Sequence, residues 1–203
     1  KAVYTGKWME LGGNDRRIVM EDADIEQAAT LAAAGSYKNS GQRCTAIKRM
    51  LVQRSVAELF VALLLEKTKT VKYGDPMDPA NDMGTVIDEA AAKSFEGKVN
   101  DAVTRGARLL HGNARRGALY SPTLLDRVTP DMPVVKYETF GPVSPVIRFD
   151  TIEEAIAIAN STDYGLSSAV CTNRLTYLTA FVFALNVGNV HVRAVPCTRL
   201  ALT

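Results

Sequence analysis

The chain has 203 residues, 47% of them hydrophobic and 23% charged, with a formal net charge of +2. That balance suits one compact domain with a sizeable core, and the scattered basic residues argue against a nucleic-acid partner. Apolar stretches break well short of the ~18–20 residues of a membrane span. The opening KAVYTGKWMELGG reads as folded protein rather than a secretory signal, and three cysteines with no CxxC pair fit neither a disulfide framework nor a zinc ribbon. The expectation is a cytoplasmic protein with no membrane, nucleic-acid or metal partner.

In chain order, RIVM at 17–20 is a short apolar run leading to Asp22-Ala-Asp24, good N-cap chemistry for an alanine-rich helix from about 25 to 37. A strand is predicted near 46–53, then a capping box at Ser55–Glu58 opening a helix with Leu59, Phe60, Leu63 and Leu64 on its inner side. Residues 73–85, with Pro76 and Pro79, form a loop, and Asp88 caps a helix carrying Ala91, Phe95, Val99 and Ala102 at helical spacing. Strands are predicted at 107–110, 124–128, 143–149, 167–172 and 188–192. Helices are expected after the Thr151–Glu154 capping box and at 174–185. Strands alternating with helices of this length imply an α/β fold: a mostly parallel sheet with helices on both faces, in three layers.

Five segments in fixed order then resemble the aldehyde dehydrogenase superfamily. They are Met9-Glu10-Leu11-Gly12-Gly13, Asn39-Ser40-Gly41-Gln42-Arg43-Cys44, Gly74-Asp75-Pro76, Glu138-Thr139-Phe140-Gly141-Pro142 and Asp163-Tyr164-Gly165-Leu166. The resemblance runs from about residue 9 to 198. It implies that residues 1–203 are the nucleophile-bearing catalytic domain, incomplete. The coenzyme-binding domain and the C-terminal oligomerisation segment are expected to be absent, and no GxGxxG loop occurs.

By this resemblance Cys44 is the nucleophile and Glu10 the general base, in NAD(P)-dependent oxidation of an aldehyde to an acid. A thiol suits the role because thiolate both attacks and leaves well; the route passes through a thiohemiacetal and a thioester that Glu10-activated water hydrolyses. The backbone N–H of Cys44 is the expected oxyanion donor. Glu138 and Phe140 match the pair that holds the nicotinamide ribose, and Leu11 and Gly12 are also expected to line the cofactor, NAD or NADP. Cys171, Cys197, His111 and His191 have no such setting and are expected to be non-catalytic. Without its coenzyme half the chain is expected to be inactive as a dehydrogenase; when full length, the protein is expected to form a homo-oligomer, dimer or tetramer.

Arg43, directly before the thiol, and Arg199, in a V-P-x-x-R segment, resemble residues of members acting on small aldehydes with an anionic tail. A guanidinium fork matches phosphate, phosphonate or carboxylate oxygens. The wording is most similar to members that oxidise phosphonoacetaldehyde, with lactaldehyde, glyceraldehyde-3-phosphate and succinate semialdehyde as alternative substrates. Arg16 stands where similar sequences usually carry proline, a change expected to matter little. Two readings of another class remain open: an assembly module using an uncovered apolar surface, and a cofactor-independent thiol esterase.

Overall fold

The computed structural model describes residues 12–193. Strand β1 (Asp15–Val19) leads to helix α1 (Ile25–Tyr37), which starts where Asp24 accepts the Gln27 N–H at 2.9 Å. Strand β2 (Ile47–Gln53) then runs directly into α2 (Arg54–Thr70). That direct junction corrects the capping box expected at Ser55–Glu58. Gln53 is the cap residue and makes no side-chain cap bond, while Glu58 accepts from Arg148 at 2.6 Å.

Helix α3 (Glu89–Thr104) is capped by Asp88, which accepts the Ala91 N–H at 2.7 Å. Next come β3 (Arg108–His111), a two-residue hairpin of β4 (Arg115–Arg116) and β5 (Leu119–Tyr120), and β6 (Thr123–Asp126). The single turn α4 (Pro133–Lys136) precedes β7 (Val143–Phe149). Thr151 caps α5 (Ile152–Ala159), followed by β8 (Ser167–Cys171), α6 (Leu175–Ala184) and β9 (Asn189–Val192).

Among the described residues seven strands make one sheet in the order β3-β6-β7-β2-β1-β8-β9. All neighbours are parallel except β3 and β6. Along β2, Met50 and Val52 join the core on one face and Leu51 the core on the other, as period-two side chains must. Ala28, Ala29 and Ala32 of α1 and Phe60 and Leu64 of α2 cover the first face. Phe95 and Val99 of α3, Ala155 of α5 and Phe181 of α6 cover the second. This is the three-layer α/β arrangement predicted.

The parallel order sets the electrostatics of one edge. Each crossover helix returns toward the amino ends of the strands and leaves its last carbonyls there without intrahelical partners, at the negative end of its dipole. Basic side chains meet them, Arg43 half-buried and Arg49 fully buried. Arg43 Nη2 donates to the Gly35 carbonyl near the end of α1 at 2.8 Å. Arg49 donates to the Ile158 and Ala159 carbonyls ending α5, at 3.2 and 3.3 Å, and through Nε to the Asn14 carbonyl at 3.0 Å. Burial pushes the Arg49 guanidinium down to about 9, helped by the neighbouring charge of Arg16 and opposed by that of Asp15. Arg16 is buried as well and spans the Tyr164 and Asn186 carbonyls at 3.3 and 3.4 Å, so it ties β1 to two loops rather than being inconsequential.

Among the described residues no helix is long and apolar enough to cross a membrane, and no His/Cys/Asp/Glu cluster could hold a metal. Helix α6 shows Leu175 and Phe183 to solvent, 75% and 85% exposed. Replacing Arg49 by methionine keeps much of the volume but takes the Arg49 donors from the buried Asn14 and Ala159 carbonyls, while Ile158 keeps Ser161. Arg49→Met should lower the unfolding free energy by roughly 2–4 kcal/mol, read from urea denaturation by circular dichroism. An unchanged midpoint would show that Arg49 does not brace α5.

Candidate active site

Three loops enter the amino ends of β1, β2 and β7 and meet there: residues 12–14, 38–46 and 137–142. The middle loop carries Cys44. Its approach is a short 3-10 turn, Lys38–Gly41, in which Asn39, Ser40 and Gly41 all have positive φ, at 56°, 53° and 70°. Left-handed backbone at two successive non-glycine residues costs about 1–3 kcal/mol each and persists only where surroundings enforce it. Here Asn39 Nδ2 donates to the Gln42 carbonyl at 3.0 Å and Ser40 Oγ to the Gly84 carbonyl at 3.1 Å. Gln42 Oε1 accepts the Ile87 N–H at 2.8 Å. Gly41 admits no side chain because a Cβ would run into the Gly141 carbonyl.

The chain then turns from Arg43 to Ala46, closed by the Ala46 N–H on the Arg43 carbonyl at 3.0 Å. Cys44 is the second residue of that turn, so its N–H takes no part in the turn's own bond. The thiol is free and partly exposed, whereas the other described cysteine, Cys171, is buried on β8 with its sulfur 3.1 Å from Arg17 Nη1.

Glu138 faces this turn. Its Oε1 accepts the Gly13 N–H at 3.2 Å, and its Oε2 lies where a Cβ on Gly12 would stand. Gly12 itself has φ of 73°, so both the backbone and the carboxylate require glycine there. Tyr164 and Leu166, from the Asp163–Leu166 segment, close the other side of Gly12 and Gly13. Phe140 leaves 41% of its surface exposed beside Glu138. Lys98 Nζ braces the Glu138 carbonyl at 2.7 Å; burial pulls its ammonium below the usual lysine range, and the nearby Glu138 carboxylate partly restores it.

The residue that joins these pieces is one the motifs did not single out. Lys48, side chain 1% exposed, ion-pairs with Glu138 Oε1 at 2.7 Å. It donates to the Gly13, Arg43 and Cys44 carbonyls at 2.8, 2.8 and 3.0 Å, and its ammonium lies 5.5 Å from the Phe140 ring centre. The available signal was a lysine and an arginine in succession inside a strand that is otherwise apolar.

Of the predicted site residues, Cys44, Gly12, Glu138 and Phe140 come together at this edge. Arg43 is adjacent in sequence, but one of its donors is committed to α1. His111 and His191 lie on the two outermost strands of the sheet. Glu10, Leu11, Cys197 and Arg199 lie outside the described residues. The carboxylate of Glu138 and the open ring of Phe140 have the chemistry to take a ribose diol and pack against a cofactor, so the residues present fit that end of NAD(P).

Comparison with known proteins places this geometry. Residues 4–200 match the model of the aldehyde dehydrogenase family, and the chain belongs to that family. It is 42% identical to the 3,6-anhydro-alpha-L-galactose dehydrogenase of Vibrio sp. (strain EJY3), covering 91% of this chain and 40% of that protein. It is 44% identical to the NADP-dependent glyceraldehyde-3-phosphate dehydrogenase of Streptococcus equinus, covering 91% of this chain and 38% of that protein. Among solved structures it superposes on the NADP complex of the glyceraldehyde-3-phosphate dehydrogenase from Bacillus halodurans C-125. The TM-score is 0.91 at 44% identity, covering 94% of this chain and 40% of the other. The chain thus spans about two fifths of the length of these relatives.

Exposure and setting separate the two described thiols. Brief iodoacetamide treatment of the native chain should alkylate Cys44 well ahead of Cys171, because reaction needs an accessible thiolate. Peptide mapping by mass spectrometry resolves the cysteines, and equal labelling of both would remove Cys44 from the site.

Proposed function

We propose that this chain supplies the thiol-bearing part of an NAD(P)-dependent aldehyde dehydrogenase, the coenzyme-binding domain and C-terminal oligomerisation segment lying in the remainder of the protein. The observation that carries the reading is Cys44 on a braced turn directly beside Glu138 and Phe140. Cys44 adds its sulfur to the aldehyde carbon, and the new oxyanion is met by the Cys44 backbone N–H. When bound, NAD(P) supplies the acceptor for the hydride lost from that carbon. Glu138 would accept from the ribose hydroxyls, Phe140 would pack against the cofactor, and Leu11 and Gly12 are the further residues proposed to hold it. Glu10 takes a proton from the water that cleaves the Cys44 thioester, releasing the acid and the thiolate.

The substrate class proposed is a small aldehyde with an anionic tail, held by Arg43 and Arg199, with phosphonoacetaldehyde as the leading example. Support comes from the guanidinium chemistry and from a relative whose name specifies a phosphorylated aldehyde; lactaldehyde, glyceraldehyde-3-phosphate and succinate semialdehyde are the alternatives. Exposed Leu175, Val182 and Phe183 on α6 support self-association, and the free thiols Cys44 and Cys171 support a cytoplasmic setting.

In the full-length protein, Cys44→Ala should abolish reduction of NAD(P) with any aldehyde; residual steady turnover would overturn the thioester route. Arg43→Ala and Arg199→Ala should each lower kcat/KM for phosphonoacetaldehyde by roughly ten- to a hundred-fold, the scale of one charge-assisted contact. A neutral aldehyde of similar length should be nearly unaffected. If both substrates slow equally, the arginines are structural and the anionic assignment fails. Arg43, already donating to Gly35, is the more exposed of the two to that outcome.

A further inference from the structure

An ammonium has three N–H donors. Lys48 has four oxygen acceptors within 3.0 Å: the carbonyls of Gly13, Arg43 and Cys44 and the Glu138 carboxylate. The ammonium is almost fully buried and its three donors are divided among four acceptors, of which the Glu138 carboxylate, 18% exposed, is open to another partner. The three carbonyls belong to the turn that carries Cys44 and to the glycine pair beside it. The fourth acceptor belongs to the loop before β7. Two of the three carbonyls are those of Cys44 and the residue before it. The ammonium therefore fixes the backbone from which the thiol projects, and places a positive charge beside it.

We propose that Lys48 is a positioning residue that couples Glu138 to Cys44: whatever Glu138 demands of the ammonium is withdrawn from the turn that aims the thiol. A ligand that occupies the Glu138 carboxylate, such as a vicinal diol, loosens its hold on Lys48, and the ammonium then closes on the three carbonyls. A reactive thiol is thereby favoured when that neighbouring subsite is filled. Phe140, 5.5 Å from the ammonium, sits on the same path, so an aromatic or ribosyl group stacked there meets the same cation. The inference rests on the reading of Cys44 as nucleophile.

A double-mutant cycle in the full-length protein tests it, reading the rate of Cys44 alkylation by iodoacetamide, with protection of Cys171 as the sign of an unperturbed fold. Lys48→Met keeps the aliphatic stem and removes the charge. It should slow Cys44 by about tenfold or more, the scale of losing one hydrogen bond to a charged group. Glu138→Gln leaves the ammonium to the carbonyls and should speed Cys44 several-fold. In the Lys48→Met background the Glu138 change should have no effect, because the link has gone. If Glu138→Gln speeds Cys44 equally with and without Lys48, the carboxylate acts directly and the coupling is overturned. An unchanged rate in Lys48→Met also overturns it. Should Lys48→Met expose Cys171, Glu138→Gln decides alone, and an unaltered Cys44 rate in that variant ends the proposal. A wild-type Cys44 no faster than Cys171 would instead sink the assignment of the nucleophile, a separate failure.

Discussion

The site depends on one buried ammonium and the four oxygens around it. Removing a lysine from water is costly unless its donors are satisfied and its charge is balanced. Lys48 meets both conditions because the Gly13, Arg43 and Cys44 carbonyls surround its donors and the Glu138 carboxylate balances its charge. None of the three loops needs that arrangement for its own sake. The desolvation cost of Lys48 makes any displaced loop expensive, so a cation that contributes little net stability still specifies one geometry for the edge of the sheet.

That edge is an unusual place for chemistry in a parallel sheet. Ligands of open α/β sheets ordinarily sit beyond the carboxyl ends of the strands, where helix N-termini offer N–H groups to anions. Here the loops that matter lead into β1, β2 and β7, so the thiol stands at the amino ends, among helix C-termini. Those termini present carbonyls and a partial negative charge that would disfavour a thiolate. Arg43 on α1 and Arg49 on α5 take up those carbonyls, and Arg16 and Lys48 take up loop carbonyls alongside them. This set of basic residues, buried except for the half-buried Arg43, is the fold's answer to the direction of its own helices.

Much of this was legible in the sequence because periodicity and caps are local. The alanine-rich helix fell at Ile25–Tyr37 and the strand at Val143–Phe149, where pattern and cap residue agreed. The Ser55–Glu58 box misled because Gln53 passes straight into α2, and Glu58 was claimed by Arg148, 90 residues away. The hairpin Arg115–Tyr120 escaped notice because two-residue strands have no period to read. Motifs mark Cys44, Glu138 and Phe140, whereas no motif marks Lys48. A charged pair in IKRMLVQ breaks apolar continuity, and only the tertiary arrangement shows that both cations are buried at the helix ends and loops they satisfy.

The left-handed stretch before the thiol completes the physical account. Strain at Asn39 and Ser40 can be released only by breaking the bonds to Gln42 and Gly84, and Gly41 is wedged against Gly141, whose own Cβ position is filled by the Phe95 ring. Phe95 belongs to the α3 core, so the approach to Cys44 is anchored in packed hydrophobic structure on one side. On the other it hangs from the shared ammonium of Lys48. The turn is thus gripped by packing at its start and by the Lys48 ammonium at its end. The contact that holds the thiol's backbone is therefore the same one that meets Glu138.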